Sequence, residues 1–130
     1  MKKIYRVITI MMFGLMLVGC GAKPASSDFN EEELKKASEE IINYFNNKQY
    51  EEIASRGDET MSAPGVAEKL KEVWDVVYDK LGEFKSITKV VIQDVNGEAL
   101  VTSFTKYENG KVNFEISFNK EMQMTGVYIK

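Results

Sequence analysis

One thiol, no imidazole and a spread of carboxylates and phenols define the chemistry open to this chain. Cys20 is the only cysteine among 130 residues, and histidine is absent altogether. The commonest general base and metal ligand are therefore missing, and a single thiol is left as a nucleophile. What remains for acid–base work is a carboxylate beside a phenol, one taking a proton and the other steadying the oxyanion that forms. Tyr78, Asp79, Tyr107 and Tyr128 supply those side-chain types. No phosphate-binding glycine loop, H-E-x-x-H helix or G-x-S-x-G elbow occurs, so neither a cofactor nor a metal is expected. Three short matches carry little weight. Arg56-Gly57-Asp58 is only a tripeptide, "DVNGE" at Asp94–Glu98 lacks the spaced ligands of a calcium loop, and "NEEE" at 30–33 is a helix start.

The surroundings of Cys20 give its thiol a different chemistry. Lys2, Lys3 and Arg6 precede an apolar run from Val7 to Val18. That run is too short for a bilayer core, which takes about 20 apolar residues, and suits a secretory signal. Leu17-Val18-Gly19-Cys20 then resembles the bacterial lipobox. The resemblance implies a diacylglyceryl group on the Cys20 sulfur and cleavage by signal peptidase II between Gly19 and Cys20. Two acyl chains anchor stably where one binds marginally. The expected organisation is a signal peptide over 1–19, a lipidated small and polar tether over 20–28 and one domain over 29–130. A lipidated Cys20 leaves that domain no disulfide, so it must fold on its apolar core.

The chain carries 17 basic and 20 acidic residues, and Lys2, Lys3 and Arg6 leave with the signal peptide. The acidic remainder argues against general nucleic-acid binding, which needs a basic patch. Membrane attachment is expected to run through the lipid rather than through charge.

Helical spacing fills residues 30–47, where Leu34, Ala37, Ile41 and Phe45 share a face and Asn30 with Glu33 gives an N-cap pattern. "KQYEEIASR" predicts a short second turn with Tyr50 and Ile53 inward. A longer helix is predicted from Ser62 or Ala63, with Pro64 in its first turn and Gly82 at its end. Its core stripe is expected at Val66, Leu70, Val73, Val77 and Leu81, widened by Trp74 and Tyr78. From Phe84 the period changes to two. Asn96-Gly97 and Asn109-Gly110 are hairpin signals, and "MQMTGVYI" supplies a last strand. The fold class is α+β, N-terminal helices packed on a curved four-stranded antiparallel sheet.

This order of elements resembles the cone of the nuclear transport factor 2-like (cystatin-like) superfamily. Within it the chain resembles the Gram-positive domain of unknown function 3887 family. The residues that carry the likeness are Phe45–Tyr50, Met61, Leu70–Trp74, Gly82 with Phe84, "VVIQDV" and the closing "MTGVYI". The resemblance implies a sheet wrapped around helices with a pocket between them, and no assigned chemistry.

Trp74, Tyr78, Phe104, Phe114 and Tyr128 are the aromatic side chains expected to line such a pocket with polar tips, or else to fill the core. The expected role is non-catalytic binding of a small apolar ligand or an envelope protein. It would be exercised by a lipid-anchored domain at the outer face of the cytoplasmic membrane of a Gram-positive bacterium. The alternative is a ketosteroid-isomerase-like enzyme with a carboxylate/tyrosine pair in the cone. An exposed sheet edge is a third route, to a protein partner.

Overall fold

The computed structural model describes residues 29–130. The expected signal peptide, cleavage site at Gly19 and Cys20, and tether lie outside the described residues. Three helices precede four strands: α1 (Glu31–Asn46), α2 (Tyr50–Ser55), α3 (Val66–Leu81), β1 (Phe84–Val95), β2 (Glu98–Tyr107), β3 (Gly110–Phe118) and β4 (Met124–Ile129). The fold is α+β, with the helices on the concave face of a curled antiparallel sheet of order β1-β2-β3-β4.

Asn30 caps α1, its side-chain oxygen accepting from the amides of Glu32 (2.9 Å) and Glu33 (3.2 Å). The acids Glu31–Glu33 sit at the positive end of the helix dipole. Leu34, Ala37, Ile41, Ile42 and Phe45 are buried along one side. In α2, Tyr50 and Ile53 turn inward as their spacing implied.

α3 departs from expectation at its start and in its rotation. It begins at Val66, not Ser62 or Ala63, so Pro64 lies outside it. Asp58 is the cause: its side chain accepts from the amides of Thr60 and Met61, and its carbonyl accepts from Ser62, winding 58–62 into a separate turn. Gly65 then takes φ +90° to enter the helix, a conformation glycine reaches without strain. The buried line of α3 runs through Trp74 and Leu81, and Val73 is 53 % exposed. The predicted stripe is thus turned sideways, because the large indole takes the core.

Asn96 (φ 55°) and Gly97 (φ 86°) make the left-handed two-residue turn between β1 and β2 that the sequence signals. The second hairpin differs. Tyr107 pairs with Gly110, so the loop is Glu108-Asn109, and neither residue is left-handed. The end of α3 dictates this, since the amides of Glu108 and Asn109 donate to the carbonyls of Glu83 and Leu81, each at 2.8 Å. β4 begins at Met124 rather than Met122, because Asn119 closes a turn over 119–123 by accepting from Glu121 and Gln123.

Register shifts at Phe84/Ser86 and Ile87/Lys89 make β1 curl. On the concave face Val101, Tyr107, Phe114, Ile116 and Phe118 meet Ile41, Phe45 and Trp74 in one core.

Candidate functional site

The five aromatic residues named from sequence do not gather around one cavity. Trp74 and Phe114 are fully buried with ring centroids 5.4 Å apart, and Phe45 lies 5.4 Å from Trp74. They are core. Tyr78 rests on Trp74 at 5.7 Å and is half-buried. Phe104 alternates with the inward Ser103 and Thr105, so it points to the convex face, under the Lys89 ammonium at 5.8 Å. Tyr128 is 66 % exposed. A strand places neighbours on opposite faces, which separates Phe104 from the rest.

The carboxylate and phenols considered for acid–base work are also apart. Tyr78 and Tyr107 touch edge to face at 6.4 Å, but Asp79 is exposed on α3 and Tyr128 is exposed on β4. Tyr107 donates to Asn46 Oδ1, tying the end of α1 to β2. Burial pushes its phenol well above the usual range, Asn46 partly opposing. The carboxylate–phenol bond that does form is Tyr50 to Asp75, at 2.7 Å. Burial, then that bond, then the Asp75 charge raise the Tyr50 phenol. Lys48 stands 3.8 Å from Asp75 and 5.5 Å above the Tyr78 ring. Together these contacts lock α2 against α3.

The Arg56-Gly57-Asp58 tripeptide is likewise structural. Arg56 pairs with Glu40 at 2.7 Å, Gly57 is buried, and Asp58 holds the following turn. Asp94 accepts from the Gly97 amide at 3.0 Å, as a hairpin residue does.

Among the concavities of the described residues, two open between a helix and the sheet. A cleft of about 400 Å³ opens between α1 and the curled start of β1, with Lys35, Ser38, Glu39 and Asn43 opposite Phe84, Ile87 and Val90. At its base the Ser103 hydroxyl is buried without a hydrogen-bond partner among the described residues.

The second is a groove of about 470 Å³ between α3 and β4. Phe45 and Met61 line it with Val66, Leu70 and Val73 on the helix, and with Val127, Tyr128 and Ile129 on the strand. It continues past the next turn of α3 as a hollow of about 310 Å³, which shares Ile129 and is lined by Val76, Lys80, Lys111 and Lys130. The groove exists because α3 is apolar over more of its circumference than the sheet covers. At about 100° per residue, Val66, Leu70, Val73, Trp74, Val76, Val77, Tyr78 and Leu81 span roughly 200°. With Trp74 at the centre of burial, one flank of that arc is left in the open. That excess was readable in the sequence, although the direction of the rotation was not. Val127 and Ile129 were missed because an edge strand reads the same as a central one.

β4 ends the sheet, and its free edge borders the groove. Lys130 and Asn113 exchange amide–carbonyl bonds of 3.0 and 2.9 Å. By antiparallel alternation along the unbroken register, Gly126 and Tyr128 also face β3, and Val127 and Ile129 present their amides and carbonyls to the open edge. At the other end of β4 the edge is covered. Gly57 bridges Met124 in parallel, with Asp58 donating to the Met124 carbonyl and Met124 donating to Arg56.

Comparison with curated proteins finds no match. Among solved structures, the NMR structure of a protein from Ruminococcus gnavus ATCC 29149 superposes with a TM-score of 0.67 at 23% identity. The match spans 82% of this chain and 96% of that one, a likeness of fold. Residues 38–127, from the middle of α1 to Val127 in β4, match one family throughout, and the chain belongs to that family, described as Protein of unknown function (DUF3887).

Proposed function

We propose that this protein is a lipoprotein held by Cys20 at the outer face of the cytoplasmic membrane, where its domain works by non-catalytic binding in the α3–β4 groove. The groove carries the reading. Among its described lining side chains Lys69 alone is charged, the others being mostly aliphatic or aromatic, which suits retention of an apolar group rather than proton transfer. Val73 and Tyr128 stand exposed at its rim, at 53 % and 66 %. Exposed apolar side chains gathered beside a concavity mark interaction sites. Leu17-Val18-Gly19-Cys20 and the apolar run before it support the anchor.

Native mass spectrometry of the full chain in detergent micelles, purified from its membrane, tests the groove. The expected result is an added mass that disappears on denaturation and is absent from the Val73→Asp variant. An added mass that Val73→Asp retains, or none in any preparation, would remove the groove from the reading.

A further inference from the structure

We propose that the occupant of the groove is an extended segment of a partner protein, with apolar side chains on the face it turns to the groove and acidic side chains at both ends of that face, which adds to β4 as a fifth strand. The proposal rests on the groove being the binding place and names what fills it.

Three features converge there. The first is the open edge, where Val127 and Ile129 offer backbone donors and acceptors in the spacing a further strand uses. The Gly57–Met124 bridge covers the start of β4, so an added strand can register only over its second half. The second is the apolar floor. Val127 and Ile129 pair with the buried Ile116 and Phe114, so their side chains lie on the concave side with Leu70 and Val73. Every second side chain of the added strand would drop onto that floor.

The third is charge. Lys69, Val73, Val76 and Lys80 follow one another along the exposed flank of α3 at helical spacing, and Lys111 and Lys130 close the far end. Among the described residues no carboxylate lines either part of the groove, in a chain whose acids outnumber its bases by 20 to 17. Lys130 is already bonded to Glu115 at 3.0 Å, which leaves Lys69 at one end and Lys80 with Lys111 at the other as the cations that acids at the ends of the added strand would meet.

The same features disfavour the other occupants. A second copy would set these lysines against their own counterparts, and like charges across an interface oppose association. A free fatty acid would match the floor and the lysines but not the strand edge. A membrane surface has no means of satisfying edge amides within hydrocarbon.

The test uses the full chain in detergent micelles with a capped heptapeptide of sequence Glu-Thr-Val-Thr-Val-Thr-Glu, whose glutamates and valines share one face. The same peptide with lysine for glutamate, and palmitate, serve as comparisons. Hydrogen exchange is read residue by residue. The expected result is that the acidic peptide slows exchange of the Val127 and Ile129 amides at least about tenfold, while the basic peptide leaves them unchanged. K80E with K111E should weaken the acidic peptide at least about tenfold and favour the basic one. These surface substitutions leave the core intact, which an unchanged thermal transition verifies. Slowing at other sites only, or equal binding of both peptides, overturns the proposal. If palmitate perturbs Leu70 and Val73 and neither peptide does, the groove stands and the strand fails. If no probe reaches those residues, both readings fall.

Discussion

Trp74 decides more than any other single side chain. It is fully buried, touches Phe45, Tyr78, Tyr107 and Phe114, and by taking the core turns Val73 and Val76 outward. Its indole N–H has no hydrogen-bond partner among the described residues, and neither have Asn46 Nδ2 and Ser103 Oγ. Each such orphan costs on the order of 1–3 kcal/mol, so this core accepts a penalty for its aromatic packing. The buried phenols add a pH dependence. Tyr50 and Tyr107 hold their protons above the usual range in the fold, whereas an unfolded chain releases them near pH 10. Above that pH the unfolded state binds fewer of these protons than the native one, so the stability these two phenols contribute is level below about pH 10 and falls as pH rises further. Urea midpoints measured between pH 8 and pH 11 should show this fall, and Tyr107→Phe with Tyr50→Phe should flatten it.

Among the elements, the turn over 57–62 links the helices to the sheet edge. Gly57 lies against Met124 of β4, and Met61 packs over it to line the groove. A Cβ at Gly57 would collide with the Met61 Cβ and come within 2.9 Å of the Met61 carbonyl carbon. Backbone cannot yield as the tip of a side chain can, so Gly57→Ala should cost about 1–3 kcal/mol, read as a lowered urea midpoint. It should also loosen the bonds between Asp58, Met124 and Arg56, seen as faster exchange of the Asp58 and Met124 amides. The helix caps and hairpins divide along a physical line. Asn30 and Asn96-Gly97 act through their own backbone or near neighbours, and both were legible in the sequence. The Glu108-Asn109 loop answers to Leu81 and Glu83, far from it in sequence, and slid by one residue from the glycine that marked it.

At the scale of the whole molecule, the sheet curls over the helices and leaves β4 free on the side where α3 is under-covered. The proposed anchor at Cys20 would tether the domain to the membrane surface, within reach of neighbouring envelope proteins. Replacement of Cys20 by serine should abolish incorporation of labelled palmitate and move the protein from the membrane fraction to the medium. A C20S chain that still incorporates palmitate would refute the anchor.

The sequence alone determined the order of elements, the Asn30 cap, the first hairpin, the family and the lack of imidazole chemistry, because these depend on residue type and on neighbours within a few positions. The tertiary structure decided which aromatics became core, how α3 is rotated, and where the groove opens. Val73 and Trp74 are adjacent and both apolar, so periodicity cannot choose between them; the volume of the indole and the shape of the sheet made the choice. Phe104 and Phe114 read alike in their strands, and only the pairing register sends one outward and the other in.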